Sequence, residues 1–345
     1  MAGQALVMLT RSDFEPAIWL RNAHAQTVFA SKLRPSPPLE VERERLELED
    51  GDFLDLSWLP ERGLDDDAPV VIVLHGLNGS LESKYARGLL RQADAHGARG
   101  VLLHFRGAAE PNRLPRSYHS GDTEDLHTVV SHVRARFPRA ALAAVGYSLG
   151  GNVLLKYLGE QGRESALTCA TAVSVPYDLK RCAEAIQEGL SRFYQAHLIN
   201  GLREAYENKF KVIEAPEPRP DLRELRSFFA FDNAITAPLN GFRDAEDYYA
   251  RSSSGPFLKH IRTPTLVIHA EDDPFMAPDI IPDESMLSAA VRLEVSRHGG
   301  HVGFVSGGRY GVPVYWLEQR IPAWLRDRLH GFEAPASARE AQEAG

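Results

Sequence analysis

The sequence predicts an α/β fold: a mostly parallel central sheet with a helical cap inserted between two of its strands. Three observations predict it. Short, wholly apolar runs such as Val70–Leu74 recur along the chain, as strands covered on both faces require. Helix-patterned stretches separate those runs, so strand and helix alternate as they do in crossover units. The alternation then stops at Pro176 and resumes at Thr265, a gap of about eighty residues and too long for a loop inside a compact domain.

Residues 1–38 read as an N-terminal arm. Phe14, Trp19, Leu20 and Phe29 are set there among Arg21, Asn22, His24 and Gln26, ahead of Pro35, Pro37 and Pro38. The stretch lacks the lysine-rich polar face of an interfacial helix, so it is expected to wrap the domain rather than lie on a membrane. The core begins at 39 and runs to 176. In 39–48, Leu39, Val41, Leu46 and Leu48 interleave with polar residues, and after Gly51 the set Leu54, Leu56, Trp58 alternates with Asp55 and Ser57. These are two half-exposed strands joined by an Asp50-Gly51 turn.

The buried strand 70–74 follows, then a helix near 85–95, a strand at 101–105, a helix at 123–133, a strand at 141–145, a helix at 149–158 and a strand at 170–175. Residues 177–256 are assigned to the cap. They are rich in helix formers and in aromatics, among them Tyr177, Phe193, Tyr194, Phe228, Phe229, Phe231, Tyr248 and Tyr249. The core resumes over 257–332 with strands at 265–269 and 291–295 and a helix at 314–329. An alanine- and glutamate-rich flexible tail is expected over 333–345.

Composition narrows the function classes. With 43% hydrophobic and 25% charged residues and a mean hydropathy of -0.29, the chain can bury a sizeable core. The net charge of -8 and the lack of a basic stripe disfavour a nucleic-acid partner. No apolar run approaches the roughly 20 residues of a transmembrane helix. The N-terminus also lacks a signal-peptide pattern, so a soluble protein is expected. Cys169 and Cys182 form no C-x-x-C pair, which suits a reducing cytoplasm. Thirteen histidines raise the question of a metal. There is no H-E-x-x-H, and His104, His119, His127 and His132 lack carboxylates at ligand spacing, so neither a metal nor another cofactor is expected.

The chemistry is carried by Gly146-Tyr147-Ser148-Leu149-Gly150, a G-x-S-x-G sequence between an apolar run and a helix. A sharp strand-to-helix turn there would strain the serine backbone, require glycine neighbours and present Oγ above the sheet. In isolation the same residues could be a serine N-cap ahead of a helix. A serine hydroxyl needs a base, and in such an arrangement the chain order is serine, acid, histidine. Ala270-Glu271-Asp272-Asp273-Pro274 follows the strand at 265–269, and His298-Gly299-Gly300-His301 follows the strand at 291–295.

Asp273, directly before Pro274, is taken as the acid, with Asp272 facing away or capping the following turn. His301, after two glycines that let the chain swing over the site, is taken as the base, with His298 structural at the strand end. The oxyanion donors would be the amides of Leu149 and of Leu77, the latter in His75-Gly76-Leu77-Asn78-Gly79. No phosphate-binding glycine motif is present, which disfavours nucleotides.

Taken as a set, the motifs resemble the YheT-like hydrolases, the type 4 family of the AB hydrolase superfamily. The resemblance rests on Trp19-Leu20-Arg21-Asn22-Ala23-His24-Ala25-Gln26-Thr27, His75-Gly76-Leu77-Asn78-Gly79-Ser80, Phe105-Arg106-Gly107, Gly146 to Asn152, Asp272-Asp273-Pro274-Phe275-Met276 and His298 to Phe304. It runs from about residue 14 to 325. It implies an α/β-hydrolase fold with a cap, and a charge-relay triad at Ser148, Asp273 and His301.

Ala23 and His104 stand where the family often has proline and asparagine. The extra N-terminal apolar segment of membrane-anchored relatives is absent here, so an anchored location is not carried over. The expected activity is hydrolysis of a small carboxylic ester or lipid through an acyl-serine. Acyl transfer with the same groups is the alternative, and a non-catalytic binding protein on this fold is a second one. The aromatic cap suggests an apolar acyl chain.

Overall fold

The computed structural model describes residues 8–36, 38–61, 63–308 and 311–333. In chain order these residues form β1 (Leu9–Arg11), α1 (Ala23–Val28), β2 (Glu42–Glu47), β3 (Phe53–Trp58), β4 (Val70–Leu74), α2 (Lys84–Ala95), β5 (Arg99–His104), α3 (Thr123–Arg136), β6 (Leu142–Tyr147), α4 (Leu149–Gln161) and β7 (Cys169–Val173). Then come α5 (Leu179–Ala185), α6 (Ser191–Lys209), α7 (Phe228–Phe231), α8 (Ala237–Leu239), α9 (Ala245–Ser252), β8 (Thr265–Ala270), β9 (Val291–Ser296), β10 (Val305–Gly307), β11 (Pro313–Tyr315) and α10 (Leu317–Arg326). From residue 334 on, the tail lies outside the described residues, as does Pro37 of the arm.

Nine of the described strands form one sheet in the order β1-β9-β8-β7-β6-β4-β5-β3-β2. All neighbours are parallel except the β2–β3 and β3–β5 pairs. The apolar runs became central strands because both faces are covered. Val70, Ile72 and Leu74 of β4 point into a core shared with α3 and α4, whereas Val71 and Val73 point into a second core shared with α2 and α10. That division follows the two-residue period of a strand.

The structure differs from the sequence expectation at the short elements. β1 joins the sheet edge beside β9, and the arm continues along the core with Phe14, Ala17 and Leu20 buried. The helix expected at 314–329 starts only at Leu317, because 313–315 pairs with 305–307 as a small antiparallel ribbon. Residues between β7 and β8 supply α5 to α9, and several of them line a cavity together with the C-terminal ends of the central strands. No helix of the described residues is long and apolar enough to cross a membrane.

Candidate active site

Ser148 lies between β6 and α4 with φ 52° and ψ -118°. A non-glycine residue held in that region stores strain and persists only when its surroundings fix it. The surroundings are close-packed backbone. A Cβ on Gly146 would sit 2.4 Å from the Gly150 carbonyl oxygen, and one on Gly150 would sit 2.5 Å from that of His75. The glycines of the motif are therefore required by approach distance, which brings the start of α4 onto the end of β4.

His301 and Asp273 meet Ser148 from the ends of β9 and β8. His301 Nε2 is 2.9 Å from Ser148 Oγ, and His301 Nδ1 is 2.8 Å and 3.1 Å from the two carboxylate oxygens of Asp273. A carboxylate accepts hydrogen bonds, so Nδ1 carries the proton toward Asp273 and leaves the Nε2 lone pair facing the serine hydroxyl. Asp273 Oδ1 also accepts the Phe275 amide at 2.9 Å, which fixes the carboxylate plane. The Phe275 ring lies flat on the imidazole, with centroids 4.0 Å apart and planes at 4°.

Asp272 is turned away from the His301 imidazole, and it holds the histidine loop rather than the turn that follows it. Its Oδ1 accepts the Gly300 amide at 2.9 Å, and its Oδ2 lies 3.2 Å from His298 Nδ1. The neighbouring acid thus tethers the histidine loop from outside, and His298 is its partner.

Leu77 and Leu149 both line the cavity at Ser148. The amides flanking Leu77 are occupied, since Gly76 N–H donates to Tyr85 Oη at 2.8 Å and Asn78 N–H donates to Tyr118 Oη at 3.0 Å. Among the described residues no acceptor is found for the Leu77 or the Leu149 amide. His75 stiffens the same turn. Its Nδ1–H donates to the Gly76 carbonyl at 2.7 Å and its Nε2 accepts the Phe105 amide at 3.3 Å, while burial pushes the imidazole down to about 4.

Asn78, at φ 54°, also donates from its side chain to the Leu198 carbonyl of α6 at 2.9 Å. Tyr85, Tyr118 and Leu198 were not singled out from the sequence. An aromatic side chain far along the chain carries no local mark of the amide it will hold.

The cavity has a volume of about 350 Å³. Leu179, Ile186, Leu198, Leu202 and Phe228 give it an apolar wall from the segment between β7 and β8, and Ser148 and His301 open into it. Asp232 is a polar exception. Burial raises its carboxyl to about 6, although the Thr236 hydroxyl donates to it at 2.6 Å and the Tyr249 hydroxyl at 2.8 Å. Among the described residues no cluster of three or more histidine, cysteine or acidic side chains could hold a metal ion. The arrangement sets a hydroxyl beside an imidazole and a carboxylate, with two unengaged amides and an apolar chamber around them.

Comparison with known proteins agrees with this fold. The family model for the alpha/beta hydrolase fold matches residues 69–308. YheT of Escherichia coli (strain K12), an esterase by name, is 42% identical over 321 residues, covering 92% of this chain and 94% of its own. Phospholipase ABHD3 of Homo sapiens is 29% identical over 302 residues, covering 85% of this chain and 74% of its own. In fold alone, the chain is similar to the solved esterase Pf2001 of Pyrococcus furiosus, at a TM-score of 0.52 and 16% identity over 86% of this chain and 99% of that one. With a family model spanning most of its length and a relative matching it nearly end to end, the chain belongs to the YheT-like α/β hydrolases.

Proposed function

We propose that the protein hydrolyses carboxylic esters through an acyl-serine intermediate. The observation that carries this reading is the unbroken chain from Ser148 Oγ through the His301 imidazole to the Asp273 carboxylate, beside two amides without acceptors. Ser148 Oγ attacks the ester carbonyl carbon while His301 Nε2 takes its proton. Asp273 holds the tautomer and stabilises the imidazolium without accepting the proton. The Leu77 and Leu149 amides receive the negative charge that develops on the carbonyl oxygen. Collapse of the tetrahedral intermediate breaks the bond to the alcohol oxygen, which leaves with the proton from His301. A water molecule then repeats the cycle on the acyl-serine and releases the acid.

We assign residues 177–256 as the cap that shapes substrate choice. The apolar wall they give the cavity supports an apolar acyl chain, and the names of the relatives, esterase and phospholipase, support an ester bond as the target. Two free, buried cysteines suit a reducing cytoplasm.

The test is labelling with a fluorophosphonate, followed by turnover of acetate and octanoate esters. Labelling of the native protein that is absent in Ser148→Ala is the expected result, with octanoate turned over faster than acetate. Native protein that is folded but unlabelled would remove the mechanism. Ester formation in preference to hydrolysis, when an alcohol is added, would redirect it to acyl transfer.

A further inference from the structure

The mechanism leaves Asn22-Ala23-His24-Ala25-Gln26-Thr27 without a role, although the structure sets this segment against the histidine loop. The Asn22 side chain caps α1 by accepting the Ala25 amide at 3.1 Å. From α1, Thr27 Oγ1 accepts the His301 backbone amide at 2.9 Å, and the same hydroxyl donates to the Ala23 carbonyl at 2.9 Å. Because its single proton is committed to Ala23, the oxygen is left to accept from His301.

Gln26 is fully buried and clamps the loop at its other end. Its Oε1 accepts the Val305 amide at 2.7 Å, and its Nε2 donates to the Val305 carbonyl at 2.9 Å and the Leu20 carbonyl at 2.7 Å. The contact is close along the whole loop. A Cβ on Gly300 would lie 2.4 Å from the Ala23 carbonyl oxygen, and one on Gly303 would lie 2.9 Å from the Gln26 carbonyl carbon.

The loop needs such a clamp. Gly300, Val302 and Phe304 have φ of 59°, 56° and 45°, and two of these are side-chain-bearing residues in the left-handed region. Conformations of that kind hold only where neighbours over-determine them. Asp272 holds the Gly300 amide and Ser174 Oγ accepts the Val302 amide at 3.1 Å, but the amide of His301 itself is held by Thr27.

We propose that Thr27 is a positioning residue for His301, and that the N-terminal arm thereby forms part of the active site. The proposal rests on the Ser148–His301 reading above. Displacement of the imidazole by about 1 Å costs on the order of a hundredfold in rate. Thr27 touches none of the reacting atoms, so it acts through the place of the ring.

The experiment compares Thr27→Val, which keeps the shape and removes the acceptor, with Thr27→Ser, which restores it. Fluorophosphonate inactivation rates are measured alongside kcat and KM on a short ester, all per titrated active site. The expected result for Thr27→Val is a fall of roughly 10- to 100-fold in inactivation rate and kcat with KM within about twofold, and recovery of most of both in Thr27→Ser.

Thr27→Val reacting at the native rate overturns the proposal, and so does Thr27→Ser losing as much as Thr27→Val. If Thr27→Val does not fold, the same comparison is made between Thr27→Ala and Thr27→Ser. Native protein that shows no Ser148-dependent labelling would instead mark failure of the mechanism on which the proposal stands.

Discussion

Adjacent carboxylates at 272 and 273 have separate tasks, and one peptide unit decides which is which. Asp273 is turned inward, 6% exposed, onto Nδ1 of His301, while Asp272 accepts the Gly300 amide from outside the loop. Asp273→Asn should therefore lower kcat by about 10⁴, the size seen when an orienting acid is amidated in a serine triad. Asp272→Asn keeps an oxygen for Gly300 and should stay within about tenfold of native, since only a surface-side contact weakens. Steady-state kinetics on both variants reads the difference, and equal losses would sink the assignment. The order of Ser148, Asp273 and His301 along the chain was readable because each follows a segment patterned as a strand. The choice between neighbouring acids rested on Pro274 and on the family resemblance, and the contacts of Asp272 were invisible because its partners come after another whole strand.

At the scale of elements, the apolar runs at 70–74 and 141–145 were legible as strands because strands covered on both faces read as near-continuous apolar runs. Edge pieces were not. β1, β10 and β11 have three residues each and owe their conformation to a neighbour rather than to a pattern of their own. The helices between β7 and β8 were expected only as a group, since α7 and α8 have four and three residues and show no helical period.

Asp232, next to α7, makes that region pH-sensitive. Burial raises its folded pKa to about 6, against about 3.9 in an unfolded chain. Between those values the native state holds the proton and the unfolded state does not, so the contribution is complete below about 4 and lost as pH rises through 6. Denaturant titrations from pH 4 to 7 should show native protein losing stability relative to Asp232→Asn across that window. A constant difference would refute it.

Across the whole molecule, one buried arginine joins segments that the sequence keeps apart. Arg106 follows β5 with its side chain 2% exposed. Its guanidinium donates to Asp125 of α3 at 2.6 Å and 3.1 Å, and to Asp50 and Asp52 of the β2–β3 turn at 2.8 Å and 3.0 Å. Burial pulls the guanidinium pKa down, but the hydrogen bonds and charge of Asp125, then those of Asp52 and Asp50, hold it above its ordinary value. Asn112 adds a donor to Asp52 at 2.5 Å, and the Arg113 amide adds another at 2.8 Å. The preceding residue, Phe105, donates its amide to His75, so the node also stands behind the turn that carries Leu77.

Arg106→Met would leave Asp125 buried without its bidentate partner, and would take one donor from Asp52, which keeps Asn112 and the Arg113 amide. Breaking a buried pair in this way costs about 3–5 kcal/mol. That is a large share of the roughly 5–15 kcal/mol that holds a domain together. Adding Asp125→Asn to the same chain removes one stranded charge and should restore part of the loss. Urea unfolding of native, single and double variants measures both steps. A single variant within about 0.5 kcal/mol of native, the range of an ordinary surface change, would mean that contacts other than those of Arg106 hold the hairpin and α3 together.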